Sequence, residues 1–188
     1  MLFSYAEEML ARDVYNYLDE LYPETDVFGH IAQSEQKHMD AVSKLIDKAN
    51  LEAPTGYGEL TDTYNALISQ GSESLQQALE VGVQIEILDI DDLKHMMSEI
   101  DNETINSTFT RIGDASYTHL AAFMSELQKN GFDSQHDWDN YISQEDIDNM
   151  KDHSSQNRGH GKDRDKDCDR MNTGQEGSEN GHGKQMQR

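Results

Sequence analysis

Four stretches of the chain repeat apolar residues at three- and four-residue spacing, and no long run alternates with period two. Such a chain can bury its apolar surface only as amphipathic helices packed side by side. Local punctuation sets their limits. Residues 1–22 are rich in helix formers and stop at Pro23, whose ring cannot continue a helix. Asp26 is a candidate N-cap for a second helix reaching about Ala49. Pro54, Gly56 and Gly58 mark a loop, and a short helix follows from about Leu60 to Gln70, ended by Gly71. Ser74 and Gln77 have capping-box spacing and open a helix to about Ile100. Asp101-Asn102 interrupts it, and a last helix spans roughly 103–129 before Gly131. Four long helices with a short one between the second and third predict an all-α antiparallel four-helix bundle with a long crossover.

Composition divides the chain into three. Residues 1–133 carry 25 acids against 7 bases, and this is the expected bundle. Residues 134–150 hold 5 acids and no base, an acidic extension with a short ordered segment. In residues 151–188 the only apolar side chains are Cys168, Met171 and Met186, too few to offset chain entropy, so a disordered polyampholyte tail is expected. The net charge of −22 disfavours nucleic acid and polybasic membrane attachment. It suits cation capture, and equally solubility in concentrated salt. No run of 18 apolar residues exists, so no membrane span is expected. No signal peptide is visible, and periodicity starting at Met1 leaves room for residues upstream, so no compartment follows.

Each long helix has acids or histidines where core residues belong. The second carries the stripe Phe28, Ile31, Glu35, His38, Val42, Leu45. The third long helix reads Leu79, Val83, Glu86, Asp89, Ile90, Leu93, and the last Phe109, Ile112, Ser116, His119, Phe123. The first offers two stripes, one through Glu8, Ala11 and Tyr15 and another through Glu7, Leu10 and Val14, and periodicity does not choose between them. Blander readings exist. Asp89 could join an exposed run with Asp91 and Asp92, and His119 could be a hydrogen-bonded core histidine. Yet a buried carboxylate is costly unless paired or metal-bound. Arg12 and Arg111 are the only arginines in the first 133 residues. A cation among facing carboxylates removes their repulsion. Carboxylate oxygens with imidazole nitrogens suit iron or manganese, and zinc less specifically.

The spacing Glu8-x-x-Ala11-x-x-x-Tyr15, Glu35-x-x-His38, Glu86-x-x-Asp89 and His119 resembles the ferritin-like superfamily, on the rubrerythrin side. The segments EEMLARDVY (7–15), IAQSEQKHMDAV (31–42), EVGVQIEILDIDDL (80–93) and YISQED (141–146) look closer still to the domain of unknown function 2202 family. The resemblance covers about residues 1–148. It implies a di-iron (or mixed di-metal) carboxylate site held by Glu8, Glu35, His38, Glu86, Asp89 and His119. Glu35 would be the bridging carboxylate, and Tyr15 the tyrosine beside the site.

One departure stands out. Where the family pattern has Glu-x-x-His on the last helix, this chain has Ser116-Tyr117-Thr118-His119. Asp89 would have to compensate from the opposite helix. The chain has a single cysteine and so no CxxC pair, which removes the rubredoxin-type electron-transfer domain of full rubrerythrins. Any electrons must come from an external donor. The expected function is a metal-binding protein with a redox-active pair of ions acting on peroxide or dioxygen. An iron-handling protein without turnover, or a metal-free helical interaction module, are the alternatives. A second copy of the chain, as a homodimer, stays among the partners considered.

Overall fold

The computed structural model describes residues 1–148 and 150; the expected disordered tail lies outside the described residues. The described chain is all-helical: α1 (Leu2–Leu21), α2 (Val27–Lys48), α3 (Thr61–Gly71), α4 (Leu75–Glu99) and α5 (Glu103–Lys129), with short 3-10 turns at Gly58–Leu60 and Trp138–Asn140. Among the described residues none forms a strand. No described helix is long and apolar enough to cross a membrane.

The helix ends follow local chemistry. Ser74 accepts from the Gln77 backbone N–H at 3.2 Å, and Asn102 accepts from that of Ile105 at 3.1 Å. The box at Ser74 is only half formed, because the Gln77 side chain accepts from Gln70 instead of reaching back. Asp26, expected as a cap, makes no side-chain cap bond: its backbone is already helical (φ −82°, ψ −6°), so its carboxylate cannot fold over the helix end. Gly131 ends the turn after α5 at φ 75°, a conformation that favours glycine.

α1 and α2 run antiparallel, since the contacts His38–Glu8, Arg12–Gln36 and Gly29–Asp19 step in opposite directions along the two helices. α4 and α5 do the same through Gly113–Leu93, Ser116–Asp89 and Gly82–Phe123. The two pairs meet through Tyr15–Glu86 and Phe28–Phe123. A Cβ on Gly82 would stand 2.6 Å from the Phe123 ring, so this crossing requires glycine. Residues 49–74 connect the pairs and lay α3 against α1 and α4.

The core falls into two apolar masses. The larger includes Val14, Tyr15, Leu18, Phe28, Leu79 and Phe123. The smaller is Val42, Ile46, Leu93, Phe109 and Ile112. Along α2, α4 and α5 the polar residues of the core stripes lie between them.

The segment after α5 is anchored by one buried acid. Glu80, 1% exposed, accepts from the Ser134 hydroxyl at 2.9 Å and the Gln135 backbone N–H at 3.0 Å. Ile142 and Ile147 then bury against the helices, and Tyr141 donates to Asp91 at 2.7 Å.

Candidate metal centre

α1 contributes Glu8, α2 Glu35 and His38, α4 Glu86, and α5 His119; each is at most 8% exposed. Because residues three apart on a helix project from one side, Glu35 and His38 reach the same space. Glu35 sends one oxygen each way: Oε2 lies 2.7 Å from His38 Nδ1, and Oε1 lies 2.9 Å from His119 Nδ1. Each histidine is also near a second glutamate, His38 Nδ1 at 3.1 Å from Glu8 Oε2 and His119 Nδ1 at 3.4 Å from Glu86 Oε2. The two imidazoles stack with centroids 5.6 Å apart.

Two three-residue groups result, Glu8–Glu35–His38 and Glu35–Glu86–His119, with the ligand atoms of each within 4.8 Å of one another. Glu8 Oε1, Glu35 Oε1 and His119 Nδ1 are buried and have no partner with hydrogen-bonding geometry. Leaving such atoms unmatched costs about 1–3 kcal/mol each, more for charged groups. Orphaned oxygens and nitrogens converging on a shared space are what a bound cation requires. The donor set, carboxylates with one imidazole per group, fits iron or manganese.

The electrostatics agree. Burial, with Asp89 and Glu35 nearby, holds the Glu8 carboxyl well above its ordinary range. Burial also raises Glu86, against the opposing pull of His119. Burial opposes ionisation of Glu35, but the imidazoles of His119 and His38 overcome it and hold this carboxyl below the usual range. His119 would be lowered by burial, yet Glu86 and Glu35 push it up to about 10. Without a metal, the site therefore keeps protons to limit its own repulsion.

Tyr15 is fully buried, and its hydroxyl donates to Glu86 Oε1 at 2.7 Å. Packing against Phe123, with centroids 5.2 Å apart, fixes the ring. Burial and Glu86 push the phenol well above its ordinary range, so it remains a donor. Asp89 stands apart from both groups. Ser116, in the position of the absent glutamate, donates to Asp89 Oδ2 at 2.6 Å, and burial raises the Asp89 carboxyl to about 8.

Glu7 was the alternative to Glu8. It is half-buried beside the centre, and burial, with Asp92 and Asp89 nearby, raises it to about 10. Glu80 escaped the stripe reading altogether. Its signal is local: residues 78–83 are buried on every side, and Glu80 is the one charged residue among them.

Residues 1–154 match the family described as an uncharacterised protein domain, DUF2202. The chain is 37% identical over 133 residues to the uncharacterised protein MJ0754 of Methanocaldococcus jannaschii, spanning 66% of this chain and 71% of that protein. It is also similar to the crystal structure of the hypothetical protein MJ0754 from Methanococcus jannaschii, with a TM-score of 0.70 and 34% identity over 79% of this chain and 87% of the other.

Proposed function

We propose that this chain, which belongs to the DUF2202 family, is a ferritin-like four-helix bundle holding two metal ions, iron in the first instance, as a redox-active pair. The observation that carries this reading is Glu35. Its two oxygens face two different histidines at 2.7 and 2.9 Å, and each histidine is paired with its own glutamate. Glu8 and His38 would complete one ion, Glu86 and His119 the other, with Glu35 between them. Asp89, tied through Oδ2 to Ser116, is the additional carboxylate available to the second ion.

When bound, a pair of reduced ions would supply electrons to peroxide or dioxygen, and an external donor would restore them. The chain's own contributions are positional. Tyr15 holds Glu86 in place and keeps a proton beside the site. The larger apolar mass, through Phe28 and Phe123, excludes water from one side.

Anaerobic titration with ferrous iron tests the reading: about two ions should bind per chain, as in two-metal sites. Peroxide should then oxidise the bound iron stoichiometrically. Uptake without peroxide consumption would favour iron handling, and no uptake would leave a metal-free module.

A further inference from the structure

A cavity of about 170 Å³ opens where α1, α3 and α4 meet, and its floor is formed by Glu8, Glu35 and Glu86. Leu10, Ala11, Leu67 and Ile85 are among the apolar residues of its walls. At its lining lie Phe3 and Leu88, which are 39% and 46% exposed and so among the few large apolar side chains open to solvent. Peroxide and dioxygen do not account for this volume, because a single water occupies about 10–15 Å³ on the same measure. An apolar cavity of about 150 Å³ is enough to take up benzene. Exposed apolar rims around a concave site mark ligand grooves.

Charge narrows the ligand. The lining includes six carboxylic acids, adding Glu7, Asp89 and Asp92 to the floor, and no lysine, arginine or histidine. An anion of ring size would meet only like charge and no donor cation. A cationic head would meet carboxyl groups of opposite sign, so charge excludes the anion alone.

We propose that this cavity binds a largely apolar organic molecule about the size of one aromatic ring and carrying no negative charge, seated against the Glu8–Glu35–Glu86 face of the centre. The cavity itself requires no metal; the ligand's place beside an ion pair rests on the function proposed above. Thr63, exposed on α3 at the lining, can close the mouth without touching the metal ligands.

Calorimetry on the full chain, metal-free and zinc-loaded, tests this with benzyl alcohol, benzoate and benzylamine as probes. Benzyl alcohol should bind at about 1 mM or tighter, the range open to a ligand of roughly eight heavy atoms. Benzoate should bind at least tenfold more weakly, and Thr63→Trp should lower benzyl alcohol affinity at least tenfold at unchanged melting temperature. In manganese-loaded chain, the ring protons of benzyl alcohol should relax faster than with zinc. Benzoate binding as tightly as benzyl alcohol or benzylamine overturns the exclusion of anions. Metal uptake without benzyl alcohol binding overturns this inference alone; benzyl alcohol binding without metal uptake overturns only the metal reading. A dimer that Thr63→Trp dissociates, with no probe bound to the wild type, would assign the rim to a second copy instead.

Discussion

Replacing Glu35 by glutamine should do more damage to metal binding than any other single ligand change. Glu35 is the only residue shared by both groups; Glu8 and His38 serve one, Glu86 and His119 the other. The amide keeps the volume and removes the charge that faces both imidazoles. An ion held at a free concentration 100 times its dissociation constant stabilises the folded state by about 2.7 kcal/mol, so two add roughly 5 kcal/mol. For a chain of this size, that corresponds to a rise in melting temperature of about 10–20 °C. Anaerobic thermal melts with and without ferrous iron, each variant against its own metal-free form, give the comparison. Wild type should show the full rise. Glu8→Gln should keep about half of it, because the Glu35–Glu86–His119 group is intact, and Glu35→Gln should keep under about 2 °C. If Glu35→Gln retains half or more of the rise, or if Glu8→Gln loses as much as Glu35→Gln, the shared-carboxylate reasoning is refuted.

Three further outcomes are expected. The metal-free chain should melt at a lower temperature at pH 8 than at pH 5: Asp89, raised to about 8, contributes stability below its ordinary range that is lost as pH climbs through 8, and His119, raised to about 10, acts in the same sense above 6.5. Calorimetry across that window checks it; the lowered Glu35 works oppositely, but only below its ordinary 4.5. Asp89→Asn, which leaves both three-residue groups intact, should weaken binding of the second ion without abolishing it, while Asp92→Asn, at the cavity wall, leaves both affinities unchanged; metal titration decides between them. Glu80→Ala removes the acceptor of the Ser134 and Gln135 bonds and should cost about 2–4 kcal/mol; hydrogen exchange should speed up over residues 134–148 with metal uptake intact.

The helix boundaries were legible because their causes are local. Pro23, Gly71, Ser74, Asn102 and Gly131 act within a few residues, and α5 begins and ends where they place it. The apolar stripes on α2, α4 and α5 likewise named Glu35, His38, Glu86 and His119, because a 3.6-residue period fixes which side chains share a face. What stayed open depends on partners far along the chain. Glu80 is buried because a segment 54 residues later returns to it. Glu8 and Glu7 differ by 100° around α1, and only the direction of α4 and α2 decides which faces the histidines. Asp89 carries the signature of a ligand, but Ser116, 27 residues away, takes one of its oxygens.

The polar layer between the two apolar masses also bears on how the helices find their alignment. Leucine, valine and isoleucine surfaces tolerate repacking, so the two masses alone would admit several vertical offsets between neighbours. A slide of α2 by one helical turn, about 5.4 Å, would carry Glu35 away from His119 on α5 and His38 away from Glu8 on α1. Glu8 would then stay buried without the imidazole that faces it. Five side chains on four helices thus act as a vernier scale, matching at one setting and penalising every neighbouring one. That selection operates on the bare polypeptide, before any ion arrives.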